Sequence, residues 1–300
     1  MRLSGSITAL ATPFSADGAL DLEAWERLLD QQVEAGSRAV VVAGSTGEAS
    51  MLEDAEYALL LETAVRRVAG RIGVIAGTGL SGTGKTITQT RRAAALGAQA
   101  ALVVTPPYVR PTQDGLFAHY RAVAEEGGLP VILYNVPART GVDLQPDTVA
   151  RLAEHPAILG LKEALADAGR WQALAPLAGS GFALLSGDDP SFLAALRQGA
   201  AGVVSVASNL LPRAFAAICA DAAAGRWDAA TARDAALAPV YAFLGAAPNP
   251  IPLKAALAAR GLGHGLRLPL LPLQPALATD LPQLLDLIAR IEAEAPARAV

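Results

Sequence analysis

The run Ile158-Leu-Gly-Leu-Lys162-Glu163 sets an amine at the end of an apolar, strand-like segment. Of the 24 Lys and Arg residues only three are Lys, namely Lys85, Lys162 and Lys254. In a chain that otherwise uses Arg, a retained Lys points to a place where an amine must be able to lose its proton, which a guanidinium cannot do. Withdrawing that amine from water favours its neutral form. A neutral amine adds to a ketone or aldehyde and becomes a Schiff base, an electron sink that acidifies the neighbouring carbon. Two plainer roles stay open: Lys162 can snorkel out of the strand end, or pair with Glu163. Tyr134 ends the preceding strand-like run and tilts the balance toward chemistry, because its phenol can relay protons. Ser45 and Thr46, set between Gly44 and Gly47, offer hydroxyls and backbone N–H groups to a carboxylate. Arg139, just past Tyr134, can grip a second carboxylate bidentately.

A competing signal lies elsewhere. Gly79-Leu-Ser-Gly-Thr-Gly84-Lys85-Thr86 matches the phosphate-cradling pattern of nucleotide-binding loops, and Gly77-Thr-Gly79-Leu-Ser-Gly82 matches a dinucleotide fingerprint. Their context partners are missing. Where the dinucleotide pattern needs an acidic residue, the chain has Thr105-Pro106-Pro107. The magnesium-binding Asp of a nucleotide site has only Asp188 as a candidate, and that residue follows a Ser-Gly turn. With 28 glycines, the chain meets such patterns by accident.

These groups need a scaffold, and composition supplies enough for one. The 300 residues are 52% hydrophobic and 17% charged, which excludes intrinsic disorder. A net charge of −4 argues against a nucleic-acid partner. The lone Cys219 and the scattered His119, His155 and His264 give no metal-ligand spacing, so no metal is expected. The opening residues lack a signal-peptide core and no apolar stretch reaches membrane-spanning length, so a cytoplasmic protein without membrane partners is expected.

Short β-branched runs closed by Gly, Pro, Ser, Thr or Asn recur at Ser6–Phe14, Ala39–Gly44, Gly73–Thr78, Ala100–Pro106, Pro130–Val136, Ile158–Glu163, Ala183–Gly187 and Gly202–Ser208. Between them lie segments of helical period, among them Leu22–Glu34, Asp54–Ala69, Thr86–Leu96 and Leu116–Glu125. Near-continuous apolar strands alternating with helices imply parallel strands buried on both faces. Eight such units predict a (β/α)8 TIM barrel over residues 1–225, followed by a helical extension over 226–300. An open doubly wound sheet is the alternative reading of the same alternation. In a barrel the chemistry gathers at the C-terminal strand ends, where this sequence concentrates its hydroxyls, glycines and Lys162.

Gly44-Ser-Thr-Gly-Glu48, Tyr134-Asn-Val-Pro-Ala-Arg-Thr-Gly141, Gly160-Leu-Lys-Glu163 and Ser186-Gly-Asp-Asp189 resemble the motifs of the dihydrodipicolinate synthase / N-acetylneuraminate lyase superfamily. Pro248-Asn-Pro-Ile-Pro-Leu-Lys254 and Leu266-Arg-Leu-Pro269 resemble its C-terminal markers, so the likeness spans nearly the whole chain. The arginine in the second motif is most typical of the dihydrodipicolinate synthase branch. The resemblance implies a class I aldolase-type lyase that condenses pyruvate with L-aspartate 4-semialdehyde to 4-hydroxy-tetrahydrodipicolinate, on the diaminopimelate route to lysine. Lys162 would carry the pyruvate Schiff base, with no separate cofactor. Tyr134, Ser45 and a Tyr108 donated by a neighbouring subunit would form a proton relay. Thr46 would hold the pyruvate carboxylate, Arg139 that of the semialdehyde, and Gly187 and Val204 would line the site through their backbones. A homo-oligomer follows, expected as a tetramer built from two dimers. A sialic acid lyase or a 2-keto-3-deoxy sugar acid aldolase is the runner-up, and Arg139 speaks against it.

Two departures from the family pattern matter. Members most often have Thr where this chain has Ser45, which keeps the hydroxyl but loosens its rotamer. Members inhibited by lysine hold it with a Glu, a His and a Tyr, and the matching positions here are Lys85, Tyr57 and Pro107. A cation at Lys85 should repel the effector's ammonium, so insensitivity to lysine is expected. Lys254 is left without a role.

Overall fold

The computed structural model describes residues 3–179 and 181–296. Among them, parallel strands follow one another in chain order around a closed barrel. They are β1 (Gly5–Ala9), β2 (Ala39–Val42), β3 (Gly73–Gly77), β4 (Ala100–Val104), β5 (Val131–Asn135), β6 (Ile158–Glu163), β7 (Ala183–Ser186) and β8 (Gly202–Ser205). The expected (β/α)8 barrel is therefore the fold, and the open sheet is excluded. The cause is visible in β2, whose Ala-Val-Val-Val is buried at every position, as a strand covered on both faces must be. No described helix is long and apolar enough to cross a membrane.

The chain divides into two compact units. One runs through residues 73–204. Within it the β5–β6 ladder sets Tyr134 opposite Lys162 and Asn135 opposite Glu163, after a register shift between Val131 and Ile132. The β6–β7 ladder sets Lys162 opposite Leu185. Gly160 permits that pairing, because a Cβ there would lie 2.2 Å from the Ala183 carbonyl oxygen.

The other unit joins residues 5–72 to those from 205 onward. Its helix Leu22–Ala35 is capped by Asp21, whose carboxylate accepts from Ala24 N. Trp25 of that helix is fully buried and donates from Nε1 to the Leu60 carbonyl of the helix Asp54–Val68. Gln32, also buried, accepts from Thr8 Oγ1 on β1 and donates to the Ser208 carbonyl. Beyond residue 226 the chain forms the helices Trp227–Ala235, Ala238–Leu244, Ile251–Ala259 and Leu281–Glu294.

The boundaries depart from expectation at particular places. β1 ends at Ala9 rather than running to Phe14, because the Asn209 carboxamide takes over the ladder: it donates to the Ala9 carbonyl and accepts from Ala11 N. β8 stops at Ser205, where the Ser205 hydroxyl accepts from Ser208 N and turns Ala207–Asn209 into a 3-10 turn. The helices Thr83–Ala95 and Gln113–Glu126 each begin three residues before the predicted starts at Thr86 and Leu116. Their first turns are polar, so apolar periodicity cannot register them.

Candidate active site

Lys162 lies inside β6 with a relative exposure of 4%, so it does not snorkel. Its Nζ sits 4.2 Å from the centre of the Tyr134 ring, and Tyr134 itself is 7% exposed. The ladder between β5 and β6 makes this pairing, since the two residues are register partners. Gly187, just past β7, makes room for the lysine: a Cβ there would stand 2.9 Å from Lys162 Cε and 3.0 Å from Cγ. Gly187 N donates to the Glu163 carbonyl at 2.7 Å and fixes that approach.

The carboxylate beside Lys162 in sequence is spoken for. Successive strand residues point to opposite faces, and fully buried Glu163 meets Arg170 Nε at 2.8 Å. It also accepts from Asn135 Nδ2 at 3.1 Å and from Leu165 N at 2.9 Å. Burial raises the Glu163 pKa, and the Arg170 guanidinium opposes that rise. Asp143 joins the cluster, 2.7 Å from Asn135 Nδ2 and 3.3 Å from Arg170, while Arg170 also donates to the Leu144 carbonyl. A pairing of Lys162 with Glu163, open from the sequence, is thus replaced by a Glu163–Arg170 pair that clamps the ends of β5 and β6. Arg170 had not been singled out in the sequence. The acid next to the lysine was the available signal, since a buried carboxylate demands a cation.

Three further residues follow from this unit. Arg139 stands exposed on the short helix Pro137–Thr140, which starts with a proline and closes on Gly141 in the left-handed region. Val204 is buried in β8. Tyr108 follows β4 with φ 74° and is 94% exposed. A tyrosine in the left-handed region is strained, and here its ring is turned away from its own chain.

Ser45 and Thr46 belong to the other unit, in the turn after β2. Ser45 is exposed and Thr46 buried. The turn is tied down from several sides. Thr12 Oγ1 donates to the Gly47 carbonyl at 2.7 Å, and a Cβ on Gly47 would come within 3.0 Å of the Leu10 carbonyl oxygen. Asn249 Nδ2 donates to Thr46 Oγ1 at 3.0 Å.

Glu48, fully enclosed, meets Lys254 Nζ at 2.6 Å and accepts from Arg267 N at 3.1 Å. Lys254 also donates to the Thr12 carbonyl at 2.6 Å and lies 4.0 Å over the Phe14 ring. Burial pushes the Lys254 pKa down while the Glu48 carboxylate holds it up. Lys254, which had no role from sequence, is the counter-ion of the Gly44–Glu48 turn. A lone cation inside the apolar run Ile251–Ala259 was the signal that Lys254 needs a buried carboxylate.

The phosphate-like loop is occupied by its own hydrogen bonds. Thr86, which would face magnesium, is buried; its Oγ1 accepts from Leu80 N at 3.1 Å and lies 3.1 Å from the Gly82 carbonyl oxygen. Gly79 is packed on β4, where a Cβ would fall 2.5 Å from Val104 N. Lys85 is exposed. The glycines of this loop serve packing, and the nucleotide reading falls.

Residues 2–287 match the dihydrodipicolinate synthetase family. The chain belongs to that family. Among relatives in the dihydrodipicolinate synthetase family, the 4-hydroxy-tetrahydrodipicolinate synthase of Stenotrophomonas maltophilia strain K279a is 61% identical over 293 residues, 98% of this chain and 99% of that one. The enzyme of the same name from Xanthomonas axonopodis pv. citri is 63% identical, with 92% and 91% covered. A crystal structure of the chloride-inhibited dihydrodipicolinate synthase of Acinetobacter baumannii complexed with pyruvate superposes with a TM-score of 0.93 at 42% identity, covering 96% of this chain and 99% of that one. A family structure from Cyanidioschyzon merolae with lysine bound gives a TM-score of 0.91 at 36% identity, with 95% and 98% covered.

Proposed function

We propose that the chain is a 4-hydroxy-tetrahydrodipicolinate synthase, a lyase of the class I aldolase type that condenses pyruvate with L-aspartate 4-semialdehyde. The observation that carries this is the Lys162 amine, buried 4.2 Å from the Tyr134 ring, with the adjacent carboxylate already neutralised by Arg170. The adjacent Glu163 is paired with Arg170 and not with this amine, so Lys162 Nζ is left facing the Tyr134 ring as the group placed to attack a carbonyl carbon.

Lys162 Nζ adds to the pyruvate ketone and, with loss of water, gives a Schiff base. Loss of a methyl proton gives the enamine, whose carbon attacks the semialdehyde's aldehyde. The substrate's own amine then displaces Lys162 as the ring closes, which frees the enzyme. Tyr134, Ser45 and a Tyr108 from a neighbouring subunit carry the protons. Thr46 holds the pyruvate carboxylate and Arg139 that of the semialdehyde. The backbones at Gly187 and Val204 wall the site. No bound cofactor takes part. The enzyme works in the cytoplasm as a homo-oligomer, a tetramer of paired dimers, and the strained, outward Tyr108 supports such pairing.

Borohydride reduction in the presence of pyruvate, followed by peptide mapping, is the test. The expected result is one pyruvate-derived adduct on Lys162, absent from K162R; an unmodified Lys162 would end this reading. Comparison of the semialdehyde with sugar aldehydes as acceptors then fixes the second substrate.

A further inference from the structure

Thr46 meets a donor. Asn249 Nδ2 approaches Thr46 Oγ1 at 3.0 Å, and Thr46 is buried. A hydroxyl owns one hydrogen and two acceptor sites, whereas a carboxamide nitrogen only donates. With Asn249 filling an acceptor site, the single Thr46 hydrogen is kept from pointing at Asn249 and is left for another acceptor. A carboxylate is an acceptor and nothing else when ionised. The direction of the Asn249–Thr46 bond therefore decides whether Thr46 can serve a carboxylate.

We infer that Asn249 is a positioning residue for pyruvate: by donating to Thr46 Oγ1 it turns the Thr46 hydroxyl into a donor toward the substrate carboxylate. The inference rests on the assignment of pyruvate and Thr46 above, and concerns a residue with no contact to the reacting carbon. The segment Asn249-Pro-Ile-Pro-Leu-Lys254 thus acts on the Gly44–Glu48 turn at two points. Lys254 neutralises Glu48 at 2.6 Å, and Asn249 orients Thr46.

The decisive variant is N249D, which keeps the shape but replaces the donor by an acceptor. An ionised Asp takes the Thr46 hydrogen for itself. Half-saturating pyruvate, read from borohydride trapping on Lys162 and from KM, is expected to rise by about tenfold or more, the loss of one hydrogen bond to a charged group. kcat at saturating pyruvate should change less, because the carboxylate contact is the same before and during reaction. Acidification should narrow the gap to wild type, since a protonated Asp can again donate to Thr46. N249A removes donor and acceptor together, so it should fall between wild type and N249D. A merely structural role would make N249A the worse of the two.

The T46V background separates orientation from charge repulsion. If Asn249 acts through Thr46, N249D costs little more once the hydroxyl is gone. An equal cost in both backgrounds, or wild-type pyruvate affinity in N249D, overturns the inference while the Schiff-base reading stands. Absence of any adduct on wild-type Lys162 overturns both.

Discussion

The methylene stem of Lys162 runs past a residue that has no side chain, and this contact can be broken by one carbon. Gly187→Ala places a Cβ 2.9 Å from Lys162 Cε, closer than carbon atoms pack. Either the lysine or the β7 end must move. A displaced nucleophile loses its attack geometry, so G187A is expected to slow borohydride-trapped adduct formation by roughly a hundredfold. Overpacking at this spot should also lower thermal stability modestly, by about 1–3 kcal/mol; a wild-type trapping rate would refute the contact's importance. Most of the residues proposed for chemistry were legible in the sequence, since the rare lysine, the tyrosine and the paired hydroxyls carry their chemistry in their type. What the sequence hid are partners far along the chain. Glu48 meets Lys254 and Thr46 meets Asn249, and neither pair shares a helix or strand whose period could announce it.

At the scale of elements, buried charge and buried imidazole act as pins. The Glu48–Lys254 pair fastens the turn after β2 to the helix Ile251–Ala259. Removing one partner strands the other ion away from water. K254M is therefore expected to cost about 3–5 kcal/mol in urea unfolding, and the E48Q/K254M double variant should recover most of that loss. A double variant no more stable than K254M would show that the pair is not the pin.

His119 links two further elements: its Nδ1 lies 3.0 Å from Thr83 Oγ1, joining the helix Gln113–Glu126 to the first turn of Thr83–Ala95. Burial lowers its pKa from 6.5 to about 4. Below pH 6.5 the unfolded chain therefore takes up a proton that the folded chain refuses. Stability from this residue is complete above pH 6.5 and drains away toward pH 4. At pH 5 the loss is on the order of 2 kcal/mol. Urea unfolding at pH 7 and pH 5 should show a smaller acid loss in H119Q by that amount. The strands were foreseeable because apolar runs announce them. The helix starts at Leu22 and Asp54 were foreseeable too, whereas those at Thr83 and Gln113 were not, because their first turns are polar.

For the whole molecule the question is what one chain lacks. Lys85 sits exposed in the first turn of its helix; if this position matches the one that faces the effector in lysine-inhibited relatives, its cation repels an incoming ammonium. Initial rates are expected to stay unchanged at sub-millimolar L-lysine, and inhibition in that range would contradict the repulsion. Tyr108 poses the larger question. It is held at φ 74° with 94% of its surface exposed, and Val109 beside it is 53% exposed. Strain of this kind persists where surroundings impose it, and an outward aromatic beside an apolar neighbour suits a second copy of the chain.

If Tyr108 completes a neighbour's site, two inactive variants can repair each other. K162A lacks the nucleophile and keeps Tyr108, whereas Y108F keeps the nucleophile and lacks the phenol. In a mixed dimer one site collects both defects and the other collects none. Differently tagged K162A and Y108F chains, co-expressed and purified through both tags, are expected to show about half the wild-type rate per mixed dimer. If each Tyr108 instead served its own chain, every site would stay defective. The mixture would then run no faster than the mean of its parents. Activity of purified mixed oligomers, set against each parent at equal protein, decides between the two.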